Sequence, residues 1–478
     1  MRAKMMVVVM LAILAGTAAQ ARQTPTGGGQ GPGSQTKARI DAFFQALASG
    51  DPATYEAMAR EHFAPEYLAQ RTAEQRRQFI ERVKGDFGKL TLAGVQVRGS
   101  AATLEIRGAT GTEARCELTL EDGSASRITR VAIRVGGPGD EEAAAPTPPV
   151  NAAMAPAELS KALDGYLAPM AAGDTFAGVV LVAKDGKTAF EKAYGEADRQ
   201  KRLAMTPAMR FNVGSIGKIF TKTAIAQLIA QGRLALTDTI GTLLPDYPNA
   251  DAKPATVDQL LNHQAGIANF FGADFEKTPK ARFRSNADYF RFVAPKPLDF
   301  PPGTRTQYCN GCYVVLGAII ERVTGVRYED YIAERVFKTA GMAGAGFFQS
   351  DRFPPNVAIG YTRESPKGAG ALVSNEEMHG VAGSGAGGAY ATAADLLAFD
   401  SALRGRRLAD AKMTAWILGG DTAPSGPRAM GGIGIAGGAP GCNANMESDG
   451  RWTVVVVGNL DPPNATRVGA AISRALTR

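Results

Sequence analysis

The sequence predicts two folded domains: a small α+β domain, and a large α/β sandwich in which an antiparallel sheet is flanked by helices and accompanied by a helical region. Three observations predict this fold class. The chain has 478 residues, which is more than one hydrophobic core usually serves. Stretches rich in Gly and Pro separate two compact segments. In the second segment, strand patterns at both ends enclose helical patterns, so its first and last strands are expected to share one sheet.

The chain begins with the pattern of a secretion signal. Arg2 and Lys4 precede a short apolar run that ends at Ala19-Gln20-Ala21, the small-x-small sequence that a signal peptidase needs. The run is too short to span a bilayer comfortably. We therefore expect residues 1–21 to be a signal peptide and the protein to be exported, periplasmic or secreted, with no stable membrane insertion after cleavage.

Residues 22–37 and 136–154 are predicted linkers, and they bracket a domain at 38–135. Its first part, "RIDAFFQALASGD", has apolar residues at helical spacing, and its later part, such as "ATLEIRG", alternates apolar and polar residues. This order predicts an antiparallel sheet that carries helices on one face. It resembles the cystatin-like, nuclear-transport-factor-like α+β cone, and such a likeness concerns the fold alone.

Residues 155–478 are predicted to form the large domain. Asp185-Gly186, between two alternating runs, indicates a hairpin. Near the end of the chain, "RWTVVVVGNLD" predicts a strand and "RVGAAISRALTR" a helix. The intervening "SIGKIFTKTAIAQLIAQGRL" is apolar on most sides, which predicts a buried helix.

The charge pattern argues against a nucleic-acid partner. The formal net charge is +7 and the pI is near 9.1, but basic and acidic residues are interleaved along the chain. A nucleic-acid-binding protein usually gathers its basic residues into a patch or tail. We interpret the charge as a contribution to solubility.

Four cysteines are present, and an exported chain is permitted to form disulfides. Three pairings are possible if all four engage. Cys309 and Cys312 form a C-x-x-C pattern, but the sequence shows neither a thioredoxin-type βαβ setting nor a second ligand pair for zinc. No metal and no other cofactor is therefore predicted. Small buried side chains, or a disulfide that braces the loop, are the remaining alternatives for this pair.

Ser215 and Lys218 stand at the start of the predicted buried helix. A spacing of three places both side chains on one helix face, so the amine can reach the hydroxyl. The positive end of the helix dipole favours an alkoxide or oxyanion there. The same S-x-x-K pattern occurs at Ser34-Gln-Thr-Lys37, but that copy lies in a predicted linker, so the context favours Ser215.

Tyr308 and Asn310 form a Y-x-N pattern between the turn-rich "FPPGTRTQ" and a helical run. A second copy, Tyr247-Pro-Asn249, has proline in the middle of a loop and is less suited to presenting two polar side chains into a cleft. A Ser-His-Asp triad is not indicated, because none of the three histidines has its setting and Val213 replaces the first glycine of a G-x-S-x-G elbow. We interpret His263 as a structural loop residue.

These blocks together resemble the serine β-lactamase and penicillin-binding-protein superfamily, in the branch of class C β-lactamases, D-alanyl-D-alanine carboxypeptidases and class VIII esterases. The resemblance rests on "SIGK", "TVDQLLNHQAGI", "FPPGTRTQYCNGCYVVLGAIIERVTG", "AGSGAGGAYATAADLLAFDSAL" and "GGAPG", which occur in the order typical of the family. It implies a β-lactamase/transpeptidase-like fold for the large domain.

The resemblance also implies residue roles. Ser215 would be the acylated nucleophile and Lys218 its proton partner. Tyr308 would act as general base on Ser215 and later on the deacylating water, with its pKa lowered by a charged Lys218. At the level of the sequence, both Lys218 and Tyr308 stay open as the group that takes the first proton. Asn310 would orient Lys218 and the substrate.

The family's third motif, a cation followed by a small residue and glycine, is incomplete. Its positions here are Ile435, Ala436 and Gly437, so the cation that holds a substrate carboxylate is missing. The backbone N–H of Gly438 would still pair with that of Ser215 as an oxyanion hole. Because Cys442 stands just past this motif, a bridge from Cys442 to the Tyr308 loop is a further hypothesis.

The expected activity is that of a serine hydrolase acting on small esters or amides. D-alanyl-D-alanine carboxypeptidase or β-lactamase activity is the first alternative, which would make a peptide or β-lactam the substrate. A penicillin-recognising binding or regulatory protein that does not turn over is the second, and the missing cation at Ile435 motivates it.

Overall fold

The computed structural model describes the chain except for residues 1–33, 71–72, 74–75, 78, 81–82, 85–87, 109–112, 122–126, 136–146, 364–370, 419–432 and 478. The chain divides into two compact units, Met1–Glu142 and Ala143–Arg478. The predicted signal peptide, residues 1–21, lies outside the described residues. In the part of the chain that is described, no helix is both long enough and apolar enough to cross a bilayer.

The first unit has helices followed by an antiparallel sheet, which confirms the predicted order. Its elements are α1 (Ser34–Ser49), α2 (Pro52–His62), α3 (Pro65–Gln70), β1 (Leu90–Arg98), β2 (Ala101–Gly108), β3 (Glu113–Leu120) and β4 (Ile128–Val135), with the strands in sequential order. Phe43 and Phe63 from the helices pack with Leu104 and Ile106 from β2 in one core. The likeness to a cystatin-type cone remains a prediction.

Helix α1 begins at Ser34, inside the predicted linker 22–37. Our expected domain start at residue 38 was therefore too late. The Gly and Pro residues of that stretch end at Gly33, so nothing in the next four residues breaks a helix. An ion pair between Lys37 and Asp41, at 2.6 Å, joins successive turns of the helix.

A five-stranded antiparallel sheet forms the centre of the second unit. Its strands are β5 (Gly178–Lys184), β6 (Lys187–Tyr194), β13 (Ile433–Ala439), β14 (Cys442–Ser448) and β15 (Trp452–Gly458), in the order β13-β14-β15-β5-β6. Asp185 and Gly186 both have positive φ, at 50° and 73°, as a two-residue hairpin turn requires. Because β15 pairs with β5, the first and last segments of this unit share one sheet, as predicted.

Both faces of this sheet are covered, so it forms the middle layer of an α/β sandwich. Residues alternate along β5: Val180 and Val182 pack with the helices at the ends of the unit, whereas Val179 and Leu181 pack with the helical region. The two outer helices are α4 (Pro156–Ala172) and α14 (Asn464–Leu476). A sheet that is buried on both faces accounts for the nearly continuous apolar run in β5.

The helical region and the short strands lie between β6 and β13 in sequence. Its helices are α5 (Gly217–Ala230), α6 (Ile240–Leu243), α7 (Val257–Leu261), α8 (Ala273–Lys277), α9 (Asn286–Val293), α10 (Asn310–Thr324), α11 (Tyr328–Ile332), α12 (Ala393–Arg404) and α13 (Ala411–Ile417). Its two-stranded ribbons pair β7 (Glu196–Asp198) with β8 (Leu203–Ala204), β9 (Phe211–Asn212) with β12 (Tyr390–Ala391), and β10 (Tyr361–Thr362) with β11 (Val373–Ser374).

The second unit includes part of the predicted linker 136–154. Val150 is only 8% exposed and packs, with Met154, against the core beneath α4. The described residues of this stretch, 147–154, therefore contribute to the fold of the large domain. The prediction of a linker up to residue 154 was wrong here, because the Pro-rich composition concealed two apolar residues that the core uses.

Candidate active site

Ser215 lies in a single 3₁₀ turn, Gly214–Ile216, that leads directly into the buried helix α5. One neighbouring segment holds the turn: Val213 N–H donates to Ala389 O at 2.9 Å, and Gly388 N–H donates to Gly214 O at 3.3 Å. The side chain of Ser215 faces a cavity in the second unit. The predicted position of the serine at the start of a buried helix is the position observed.

Lys218 is 8% exposed and its amine lies among three oxygen atoms. Nζ is 3.1 Å from Ser215 Oγ, 2.7 Å from Asn310 Oδ1 and 2.6 Å from Ala386 O. Burial lowers the pKa of Lys218 to about 7, because the charged form loses its hydration. Near neutral pH a substantial fraction of this lysine is uncharged.

The geometry around the amine accommodates an ammonium, which donates to all three oxygens, and also a neutral lysine. Asn310 Oδ1 and Ala386 O can only accept, so they take the two N–H groups of a neutral amine. The lone pair is then available to the hydroxyl proton of Ser215. This arrangement lets Lys218 act as a base.

Tyr308 approaches Ser215 from another side, and its hydroxyl donates to Ser215 Oγ at 2.7 Å. Its ring is 53% exposed, but desolvation of the hydroxyl raises the pKa of Tyr308, and the hydrogen bond to Ser215 opposes this shift only in part. We expected a charged Lys218 to lower that pKa, and this expectation was wrong. A lysine that is only partly charged and a desolvated phenol both favour the protonated tyrosine.

Asn310 begins helix α10 and is 7% exposed. Besides accepting from Lys218, it donates through Nδ2 to Asn269 Oδ1 at 3.3 Å. The structure thus brings together Ser215, Lys218, Tyr308 and Asn310, the four residues that the sequence selected. The second Y-x-N copy is not part of this cluster, since Asn249 instead caps the turn Ala250–Ala252.

A disulfide joins Cys309 to Cys312 across the first turn of α10, with their Cα atoms 5.3 Å apart. The hypothesis that Cys442 bridges to this loop was wrong, because Cys442 is a buried free thiol in β14, as Cys116 is in β3. The bridge encloses Asn310 and adjoins Tyr308, so it braces the loop that presents both side chains.

His263 is a structural loop residue, as we interpreted it from the sequence, and it supports the loop that carries Tyr308. Its Nδ1 accepts from Cys309 N–H at 3.1 Å, and its ring centroid lies 4.9 Å from that of Tyr308. Burial and the nearby charge of Lys218 lower the pKa of His263 to about 4, so it is neutral near pH 7. The signal was present in "NHQAG", one of the blocks behind the family resemblance.

The loop that supplies Ala386 O was missed as a functional element. Thr221 Oγ1 donates to Gly385 O at 2.7 Å, and Gly385 N–H donates to Asn286 Oδ1 at 3.0 Å. Asn286 is fully buried, so it fixes this loop from behind. The block "AGSGAGG" marked the segment, but a backbone carbonyl leaves no side-chain signal in a sequence.

Strand β13 runs along the serine turn. A Cβ atom on Gly437 would lie 2.0 Å from Val213 O and 2.8 Å from Ser215 N, and one on Gly214 would lie 2.9 Å from Gly438 N. Gly437 and Gly438 therefore lie next to Ser215, where the sequence placed them. Ile435 shares the strand face of Gly437 and packs in part against the main core.

No metal centre is evident within the described ranges: no three His, Cys, Asp or Glu side chains come together there in a way that could hold an ion. The groups that contact Ser215 Oγ are the amine of Lys218 and the phenol of Tyr308.

Comparison with known proteins identifies the family. Residues 163–478 match the protein-family model described as Beta-lactamase. The chain belongs to the β-lactamase family. The match covers the sheet and the helical region of the second unit, including all four clustered side chains, and it confirms the resemblance and the fold predicted from the motifs.

Relatives of this β-lactamase-family chain include penicillin-binding proteins. It is 32% identical over 229 residues to the putative penicillin-binding protein PbpX of Bacillus subtilis (strain 168), a match that covers 48% of this chain and 55% of PbpX. It is 31% identical over 203 residues to Protein flp of Staphylococcus aureus (strain COL), covering 42% of this chain and 40% of flp. The chain thus spans only about half the length of these curated relatives.

Among solved structures, the penicillin-binding protein from Bacillus halodurans superposes with a TM-score of 0.57 at 28% sequence identity. The superposition covers 64% of this β-lactamase-family chain and 98% of that protein. The large unit therefore shares the fold of a penicillin-binding protein over nearly the whole of that structure.

Proposed function

We propose that this chain is an exported serine hydrolase that hydrolyses small esters or amides through an acyl-enzyme on Ser215. One observation carries the proposal: Ser215 Oγ lies 3.1 Å from a lysine amine with a lowered pKa and 2.7 Å from a protonated tyrosine. Acyl transfer needs a base for the nucleophile and an acid for the leaving group, and this pair supplies both. Export is supported by the signal pattern of residues 1–21.

Acylation begins when neutral Lys218 takes the proton of Ser215 and Oγ bonds to the carbonyl carbon of the substrate. The oxygen of the tetrahedral intermediate is stabilised by the backbone N–H groups of Ser215 and Gly438. As the bond to the leaving alcohol or amine breaks, Tyr308 gives it a proton. The acyl-enzyme then holds a tyrosinate beside a lysine ammonium, so the total charge is unchanged.

Deacylation returns each group to its starting state. Tyrosinate takes a proton from water, and the resulting hydroxide bonds to the acyl carbon. When the ester bond to Ser215 breaks, its Oγ recovers a proton from the Lys218 ammonium. The products are a carboxylic acid and the alcohol or amine. Tyr308 thus acts as base in this second half, as the family resemblance implies. In the first half it acts as acid, whereas the resemblance would make it the base on Ser215.

Ile435 favours esters over peptides and β-lactams as substrates. A carboxylate on the substrate needs a cation, and the third-motif position holds an aliphatic side chain instead. If this absence limits β-lactam use, Ile435→Lys should increase acylation by a chromogenic cephalosporin. No gain in acylation would show that Ile435 is not the limiting feature.

The test of the proposed function compares the unmutated protein with Ser215→Ala, using p-nitrophenyl esters and a fluorophosphonate probe. We expect turnover and labelling in the first and neither in the second. Ser34→Ala is the matched control, because it alters the other S-x-x-K of the chain, at the start of α1. An unmutated protein that neither labels nor turns over would eliminate the hydrolase.

A second candidate function is a penicillin-recognising protein that acylates without turnover. The observation that favours it is again Ile435, since a poorly held substrate carboxylate would leave the acyl group badly placed for water. Stoichiometric labelling of Ser215 without steady-state ester hydrolysis would support this candidate over the hydrolase.

A further inference from the structure

The cavity beside Ser215 has an aromatic wall. Phe270, Phe271, Phe275 and Tyr289 line it, and they come from α8, α9 and the loop that precedes α8. Phe271 is the exposed member, with 45% of its surface accessible, whereas the other three are nearly buried. Phe271 therefore presents accessible apolar surface in the cavity that Ser215 also lines.

Phe271 is held in place by its neighbours. Its ring centroid lies 4.4 Å from that of Phe270 and 5.5 Å from that of Phe275. Tyr289 packs on Phe270 at 4.9 Å and donates its hydroxyl to Ala382 O at 3.0 Å, which ties the wall to the loop opposite. A ligand that covers Phe271 would remove apolar surface from water without ordering a flexible side chain.

None of the described residues that line the cavity is Lys, Arg, Asp or Glu, so these four residue types place no charge on its walls. His379 is the titratable base there, and burial lowers its pKa, so it is neutral at pH 7. Its Nε2 lies 2.8 Å from Pro440 O, which gives it a backbone partner. A carboxylate placed in this cavity would lose its hydration and gain no countercharge.

The position of Tyr308 decides which half of a substrate the cavity receives. Tyr308, which protonates the leaving group in the proposed mechanism, does not line the cavity, whereas Ser215 and Asn310 do. The leaving alcohol therefore departs toward Tyr308, and the acyl group extends to the other side of Ser215. That side holds Phe271.

From these observations we propose that the aromatic cavity binds the acyl group of an uncharged ester, and that Phe271 determines specificity for aliphatic or aromatic acyl groups. The proposal rests on the proposed serine hydrolase function and names its substrate class. The acyl carbon moves from the alcohol oxygen to Ser215 Oγ and then to a water oxygen, so the products are an apolar carboxylic acid and an alcohol.

The test uses four p-nitrophenyl esters that differ only in the acyl group: acetate, butyrate, phenylacetate and the anionic monosuccinate. We expect kcat/KM to rise from acetate to butyrate and phenylacetate, and to be roughly tenfold or more lower for monosuccinate than for butyrate. Phe271→Ala should lower kcat/KM for butyrate and phenylacetate by roughly five- to tenfold and leave acetate within about twofold.

Val326→Ala is the matched control, because Val326 is an apolar side chain of similar exposure, 43%, in the turn after α10. It should leave the order of the four esters unchanged. If Phe271→Ala slows all the esters equally, or if monosuccinate is hydrolysed as fast as butyrate, the acyl-site proposal is overturned while the hydrolase stands. If the unmutated protein hydrolyses none of them and takes no fluorophosphonate, both proposals fall.

Discussion

In the mechanism that we propose, the burial of Lys218 makes it the group that removes the proton of Ser215. In water a lysine amine is protonated at pH 7, but this one is enclosed by protein and its pKa falls to about 7. Tyr308 shifts in the opposite sense, because desolvation of its hydroxyl raises its pKa. Desolvation thus favours the neutral form of both neighbours of one hydroxyl, which leaves the amine with a lone pair and the phenol with its proton.

The lowered pKa predicts a pH dependence. Below pH 7 Lys218 becomes an ammonium and loses its lone pair, so kcat/KM for an ester should fall by about tenfold per pH unit well below the pKa. Above pH 7 the profile should level off until another group titrates. The measurement is kcat/KM for p-nitrophenyl butyrate between pH 5 and pH 9.

Lys218→Arg should remove activity by roughly 10²–10⁴-fold, because a guanidinium keeps its proton at every pH of the assay. Lys222→Gln is the control, since Lys222 stands one turn further along α5 and donates to Trp416 O. A rate that stays constant from pH 5 to pH 8 would contradict the assignment of Lys218 as the base.

The sequence predicted which side chains meet at the site but not how their environments act on them. Four site residues were identified because their spacing and motif context can be read directly from the sequence: Ser215, Lys218, Tyr308 and Asn310. The pKa of Tyr308 was misjudged, because it depends on desolvation, which a sequence does not display. His263 was correctly interpreted as structural, but its partner was not predictable, because the contact with Cys309 N–H joins residues 46 positions apart.

Strand β13 can lie this close to the serine turn because residue 437 is a glycine and has no Cβ atom. A Cβ on Gly437 would collide with Val213 O, so Gly437→Ala should displace the strand from the serine turn. We expect ester turnover to fall by at least about tenfold, since a displacement of the oxyanion-hole donor weakens stabilisation of the tetrahedral intermediate. The measurement is kcat on p-nitrophenyl butyrate, with circular dichroism to confirm folding.

Gly434→Ala is the matched control on the same strand, because Gly434 is exposed and a Cβ there meets nothing within 4 Å. Its activity should equal that of the unmutated protein. Equal activity of both variants would show that the close approach at Gly437 does not matter for catalysis.

The disulfide at the start of α10 is expected to stabilise the loop that carries Tyr308 and Asn310. Replacing Cys309 and Cys312 by serine should lower the free energy of unfolding by roughly 2 kcal/mol, the loop-entropy value for so short a ring. It should also lower kcat, because the tyrosine hydroxyl is then held less firmly against Ser215. Denaturant unfolding and ester kinetics measure the two effects.

A thiol titration checks the pairing itself. The denatured, unreduced protein should show reactive thiols at Cys116 and Cys442 alone. For the kinetic effect of replacing Cys309 and Cys312, Cys116→Ala is the control. Because Cys116 lies in the first unit, loss of its thiol should leave kcat unchanged. Reaction of all four cysteines without reductant would contradict the bridge.

The two units of the molecule have separate cores, and every residue of the candidate site belongs to the second. A protein that begins at Ala143 should therefore fold and hydrolyse small esters within about twofold of the full-length rate. One that begins at Ala155 should unfold at lower denaturant, because it lacks Val150, which packs in the core beneath α4. Loss of ester turnover in the longer piece would show that the first unit takes part in catalysis.

The architecture of the whole molecule was predictable where a pattern repeats at a fixed period. Alternation predicted the sheet of the first unit, whereas the turn at Asp185-Gly186 and the apolar run near the end of the chain predicted that of the second. The apolar character of the segment after Ser215 predicted the buried helix α5. Element and domain boundaries were less predictable, because they depend on which few residues a core accepts. Val150 and the first turn of α1 both lie in stretches whose composition suggested a linker.

The central claim is that Ser215 forms an acyl-enzyme with an uncharged ester, and the most direct measurement is the mass of the acylated peptide. The protein is mixed with p-nitrophenyl butyrate, quenched with acid during turnover and digested. The peptide that contains Ser215 should carry one butyryl group, and no adduct should form in Ser215→Ala. Ester hydrolysis that proceeds with no adduct on Ser215, or with the butyryl group on another residue, would contradict the account.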